Sequence, residues 1–199
     1  MNCVNEQART SVMRLAYFGF VCWLATMGTA RCQEPTASDK ASAPTQVDGA
    51  GGSLKFSVPA GWTQKQPTVR IIEHEFAAPA ADGDEAAGRL TMMQAGGSVK
   101  QNVDRWKGQF QKSGNSPKFK SEQVKVAGQA VHVIDITGTY LDRRGPFGPA
   151  TPRDNYRMLG AIVESPERGL YFLKFYGPKD TIDKHADAFH AMVKEMKKP

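Results

Sequence analysis

Cysteine is nearly absent. The chain of 199 residues holds three, Cys3, Cys22 and Cys32, all ahead of the first segment with strand or helix periodicity. A disulfide framework within the fold is excluded, and so are thiolate-built zinc and iron–sulfur centres. Histidine is scarce too, at four, and the spacings do not converge on a metal. In Glu73-His74-Glu75 a strand would turn the two carboxylates to one face and the imidazole to the other. His185 and His190 stand five apart on a helical pattern and diverge. No serine sits in Gly-x-Ser-x-Gly. Gly96 and Gly97, ahead of Ser98, carry neither the dinucleotide fingerprint nor Walker spacing. No nucleophile, base and orienting group occur together. The reading is therefore non-enzymatic, with no catalytic residue, metal or cofactor assigned.

Long apolar runs are also missing. Leu15 to Ala30 is uncharged but falls short of the roughly 20 residues a spanning helix needs. With Arg9 and Arg14 before it and Gly28-Thr29-Ala30 after it, the run has the basic, apolar and small-residue parts of a secretory signal. The expectation is a signal peptide over 1–30, with Met13 as a second possible start, and a periplasmic or extracellular destination. Cys32 raises a rival, lipidation. However, Arg31 stands where a lipoprotein signal has a small residue, and Thr29 where leucine is usual. Both argue against a lipid anchor.

Residues 31–52 follow, mostly Ala, Ser, Thr, Pro and Gly, with Val47 their one bulky apolar side chain. Such a composition buries too little to offset chain entropy, so a disordered tether is expected there and a single folded domain over 53–199. Inside it, residues 54–58 alternate as a short edge strand, and 69–76 and 88–94 read as strands joined by an acidic loop. Residues 98–112 read as a helix capped by Ser98, with Val99, Val103, Trp106 and Phe110 in one stripe and Gly108 weakening it by about 1 kcal/mol. Residues 121–141 form two strands about Ala127-Gly128-Gln129. The second is apolar on both parities and reads as central, covered on both faces. Strands at 156–164 and 169–177 flank a hairpin turn. A last helix, from Lys179 to Lys197, turns Ile182, Ala186, Phe189, Val193 and Met196 inward. The fold class is α+β: an antiparallel sheet of about seven strands packed with helices in an α/β/α sandwich.

"FSVPAGW" (56–62) resembles the opening strand and turn of the Mog/PsbP-like superfamily. "YFLKFYGPKDTIDKHADAFHAMVKEM" (171–196) is similar to that family's last strand, Gly-Pro turn and closing helix. The resemblance covers most of 53–197. It implies an antiparallel sheet between helices and functions that are mainly binding and accessory, with photosystem support in some members and protein binding in others. It carries over no catalytic residue.

Two clusters remain as candidate contact surfaces. Lys100, Arg105, Lys107, Lys112, Lys118, Lys120 and Lys125 stand against Asp104 and Glu122, a basic stretch suited to an anionic surface or an acidic partner. Nucleic acid is excluded by the expected export and by the want of interleaved aromatics. The segment 141–156, "LDRRGPFGPATPRDNY", reads as a long loop. It concentrates Arg143, Arg144, Phe147, Arg153 and Tyr156, residue types that anchor interfaces. The candidate binding residues are these five with Lys100 and Lys107, the partner being a protein or small ligand. Two alternatives stand beside the accessory reading: an envelope module held at an anionic surface by its basic face, and a small enzyme whose site escapes motif recognition.

Overall fold

The computed structural model describes residues 43–111, 116–143, 148–166 and 168–199. The signal segment, Cys32, Lys112, Arg144 and Phe147 lie outside them. Among the described residues nine strands and three helices run in the order β1 (Thr45–Gly49), β2 (Leu54–Val58), β3 (Thr63–Lys65), β4 (His74–Ala78), β5 (Gly88–Ala95), α1 (Val99–Lys107), β6 (Lys118–Val126), β7 (Gln129–Arg143), β8 (Ala150–Ser165), β9 (Gly169–Pro178), α2 (Lys179–Lys184) and α3 (Ala186–Lys194). β1 and β2 pair as a small sheet. The others form a seven-stranded antiparallel sheet in the order β3-β4-β5-β9-β8-β7-β6. The protein is a sheet-dominant α+β fold.

The alternation of β7, β8 and β9 builds two cores. Val131 and Val133, Leu159, Ala161 and Val163, and Tyr171, Leu173 and Phe175 face one side. There they meet Ile182, Phe189 and Val193 from α2 and α3, and Leu54, Phe56 and Val58 from β2. Ile134 and Ile136, Met158 and Ile162, and Phe172 face the other side, against Trp106 and Phe110 from α1 and the turn after it. Each fully buried Phe, Leu or Ile contributes roughly 1.5–3 kcal/mol. Trp106 lies so close over Gly160 that a Cβ there would stand 2.3 Å from its ring.

Helix α1 forms where the apolar stripe places it. Its capping box is complete: Gln101 N–H donates to Ser98 Oγ at 3.2 Å, and Ser98 N–H donates to Gln101 Oε1 at 2.9 Å. Gly108 lies at its C-cap rather than inside it, so the expected helix-interior penalty does not apply.

Four other expectations need correction. The stretch read as tether is folded from Thr45. β1 pairs with β2 from Thr45↔Val58 to Gly49↔Leu54, and Val47 and Ala50 are buried. One bulky residue sufficed because β2 supplied the rest of the apolar face. The strand over 69–76 begins only at His74, and the turn before it leaves Val69 and Ile71 exposed. β7 is covered on both faces but lies one strand from the edge, and β9 is central. The last helix breaks at His185 into α2 and α3, though Ile182, Phe189, Val193 and Met196 face inward as expected. Helices alone do not make that layer, because the β1–β2 sheet shares it.

Candidate functional site

The segment 141–156 is not a loop. β7 continues to Arg143 and β8 starts at Ala150, with Tyr140 opposite Arg153, Leu141 opposite Pro152 and Asp142 opposite Thr151. β6 leaves β7 at Thr137, and β9 leaves β8 at Tyr156. Residues 138–143 and 150–155 therefore run past the sheet as a two-stranded arm. A bulge between Gly138 and Tyr140 and a left-handed Asn155 (φ 54) sit at its root. The ribbon has no central strand, which is why Pro152 is tolerated. The chain after α1 braces one side: Leu141 N–H donates to the Gln109 carbonyl at 2.8 Å, and Gln111 N–H to the Thr139 carbonyl at 2.9 Å.

Beneath the root lies Lys174, 7% exposed. Its strand turns Leu170, Phe172, Lys174 and Tyr176 to the α1 side, so an ammonium stands where the pattern places an apolar side chain. Nζ donates to Gln109 Oε1 at 2.7 Å and lies 3.4 Å from the Tyr140 hydroxyl. The rings of Tyr176 and Tyr140 are 4.4 and 5.2 Å away. Among the described residues no carboxylate bonds it. Burial lowers its pKa from 10.5 to about 7, with Arg89 and Arg105 adding repulsion and Asp142 opposing.

The aromatic lining is continuous. Tyr140 stacks on Tyr156 at 5.9 Å, tilts against Tyr176 at 5.2 Å and meets Phe110 edge-on at 5.5 Å. Burial raises the pKa values of Tyr140 and Tyr156, so both remain phenols at neutral pH. Arg89 closes the far side, donating to the Tyr176 hydroxyl at 2.6 Å and gripping Glu75 with two bonds at 2.8 and 2.9 Å. The Glu75 bonds raise its already high pKa.

Of the residues singled out in the sequence, Arg143, Arg153 and Tyr156 lie on the arm. Arg143 Nη1 donates to the Gly148 carbonyl at 3.2 Å. Arg153 Nη2 is 3.5 Å from Asp142 Oδ2, and both side chains are about half exposed. Tyr156 belongs to the stack at the root. Lys100 sits at the other end of α1, exposed and paired with Asp104 at 2.7 Å, and is not brought to this site. Lys107 ends α1 with its Nζ 3.6 Å from the centre of the Phe119 ring. Lys174, Tyr140, Tyr176, Gln109 and Arg89 were not foreseen.

The basic stretch does not assemble one face. Lys118 and Lys120 point to the side of α2 and α3, beside Asp135 and Arg157, while Lys100 and Lys107 line the α1 side with Phe119. The histidines have ordinary partners. His74 donates to the Asp48 carbonyl at 2.8 Å, His185 to the Pro79 carbonyl at 2.9 Å, and His132 lies 2.6 Å from Glu164. Burial lowers the pKa of His190. Among the described residues, no three His, Cys, Asp or Glu side chains group as a metal site, and no helix is long and apolar enough to cross a membrane.

No protein-family model and no curated protein matches the chain. Solved structures do. Cyanobacterial PsbP from Synechocystis superposes with a TM-score of 0.51 at 10% identity, over 84% of this chain and 99% of that one. LpqN of Mycobacterium tuberculosis, a protein involved in cell envelope biogenesis, gives 0.46 at 13% identity, over 78% and 90%. The Ran-binding protein Mog1p of Saccharomyces cerevisiae gives 0.44 at 10%, over 77% and 94%. The chain has a PsbP-like fold.

Proposed function

We propose that the protein is an exported, non-enzymatic binding or accessory module of the cell envelope, and that the β7–β8 arm is its contact surface. One observation carries the reading: the arm projects beyond both neighbouring strands with Arg143 and Arg153 exposed, while its root is fixed by tyrosine stacking and by Lys174. A ribbon held at its base and braced along one side gains contact area with little ordering cost. Export rests on the basic, apolar and small-residue order of the first thirty residues. Among the described residues Lys174 is the base whose pKa is lowered furthest, and as a catalytic base it would have to meet a substrate. Its Nζ is instead buried and engaged by Gln109 and Tyr140.

The test is site-specific photocrosslinking in intact cells, with the reactive residue at position 143 or 153 and a control at exposed Lys65 on β3. A discrete protein adduct at the arm positions is expected, absent at the control and lost when the other arm arginine is replaced, Arg153→Glu with the label at 143 or Arg143→Glu with the label at 153. Equal labelling at all three positions, or none at the arm, overturns the reading.

A further inference from the structure

The outer edge of β6 presents a second surface, independent of the arm. Sheet edges are ordinarily blunted by shortness, bulges or proline. The opposite edge follows that rule, since β3 has three residues. β6 carries the charges that guard an edge, with Lys118, Lys120 and Lys125, but it is long: nine residues in an unbroken register with β7, from Lys118↔Thr137 to Val126↔Gln129. Among the described residues no strand pairs with its outer side.

A groove runs along each face beside this edge. On the α2 side it is lined by Lys118, Lys120, Asp135, Arg157, Lys179 and Asp183. On the α1 side Val99, Val103, Phe119 and Ile134 contribute apolar side chains, and Lys100, Asp104 and Lys107 line the same groove. A strand added to β6 would send alternate side chains into the two grooves. Charge then selects the occupant. Asp135 is held by Arg157 through two bonds at 2.9 and 3.0 Å, and Asp183 is held by Arg157 at 2.7 Å and by Lys179. Lys118 and Lys120, both exposed, are left without a carboxylate among the described residues. Gatekeeping would account for charges on the strand, but not for the apolar side chains Val99, Val103 and Phe119 beside it on one face and, on the other, Lys118 and Lys120 unpaired among the described residues.

We propose that β6 docks an extended protein segment by strand addition, with acidic side chains entering the Lys118–Lys120 groove and apolar ones packing toward Phe119.

The test uses the full chain and a synthetic peptide of alternating glutamate and valine, followed by titration calorimetry and amide NMR. In a strand the glutamate amides point one way and the valine amides the other. Two N-methylated peptides, one methylated on each set, therefore separate backbone pairing from charge. One methylated peptide is expected to bind at least about tenfold more weakly than the other, with shifts centred on β6. Lys118→Glu/Lys120→Glu is expected to weaken the parent peptide at least about tenfold, while Lys194→Glu changes it by less than about twofold. Circular dichroism checks the fold, and the milder Lys118→Gln/Lys120→Gln is used if the first variant melts early. Equal binding of both methylated peptides, no binding at millimolar peptide, or a β6–β6 dimer that excludes the peptide each overturns the proposal. None of these bears on crosslinking at the arm.

Discussion

Replacing Lys174 by methionine tests the account of the arm's root most directly. A lysine whose pKa is 10.5 unfolded and about 7 folded costs the folded state about 5 kcal/mol once both states are protonated, at about 1.4 kcal/mol per pH unit. The sign follows from proton counts. Between pH 7 and 10.5 the unfolded chain binds more protons at this site, so its contribution to stability rises with pH and is flat below 7. The Tyr176 and Tyr140 rings facing Nζ return about 1–2 kcal/mol of that cost. Methionine fills similar volume without the charge. It also leaves Gln109 Oε1 without its 2.7 Å donor, a loss of about 1–2 kcal/mol. The variant should therefore be more stable by about 1–3 kcal/mol near pH 6. The advantage should shrink above pH 7 and reverse by up to about 1 kcal/mol near pH 10, where the lost hydrogen bond outweighs the roughly 0.8 kcal/mol of deprotonation cost still left.

Urea unfolding of both proteins across this range is the assay, and the difference between them cancels groups that titrate alike. A pH-independent difference would show that Lys174 keeps its ordinary pKa through an anionic partner or open solvent. A wild type favoured near pH 6 and disfavoured near pH 10 would reverse the sign of the argument.

Three further substitutions follow from the fold. Gly160→Ala places a methyl 2.3 Å from the Trp106 ring and should cost about 2–3 kcal/mol, seen in thermal melts together with altered tryptophan fluorescence. Ala127 occupies a left-handed conformation at φ 49, beside Gly128 at φ 80, in the two-residue turn between β6 and β7. Ala127→Asn should raise stability by about 0.5–1 kcal/mol in urea unfolding, and no gain would mean the turn relaxes in solution. Thr181 is fully buried, and its N–H and hydroxyl both donate to Asp84 Oδ2, at 2.8 and 2.6 Å, while its Oγ1 accepts from Ala81 N–H at 2.9 Å. Thr181→Val should cost about 1–3 kcal/mol, and amide exchange should speed up first in the 79–85 loop.

What the sequence disclosed depended on whether the cause was local. Ser98 and Gln101 lie three apart and cap α1 by themselves, and the stripe Val99, Val103, Trp106, Phe110 needs only the helical period to be read. The β6–β7 turn and the inward row Ile182, Phe189, Val193, Met196 are of the same kind. Strand membership was harder, because an element's sheet is decided by distant partners. Seven strands was the right number for the main sheet but not the right seven, since β2 leaves it to pair with β1, and β3 takes its place. Val47 alone could not announce a strand whose other apolar residues all belong to β2. The segment 141–156 looked like a loop because three prolines and two glycines mark breaks, and a free ribbon tolerates what a central strand does not.

The root of the arm was the least legible part, for a reason that bears on what it does. Arg89, Gln109, Tyr140 and Lys174 come from four segments, so no window of sequence holds more than one of them. One signal was present: Phe172, Lys174 and Tyr176 alternate on one face, and a lysine in an apolar row is a charge that the fold must accommodate. Accommodating it costs stability that a leucine would not. A structural role alone is then a poor account of Lys174, because Gln109 and Tyr140 would pack against leucine more cheaply. What the amine adds is direction. It ties the Gln109 side chain to the sheet while the Gln109 carbonyl holds Leu141, so the arm leaves the sheet along one path. On this argument Lys174→Met should stabilise the domain near pH 6 while loosening the arm, and faster exchange at the Leu141 amide in the more stable protein is the paired result that separates positioning from packing.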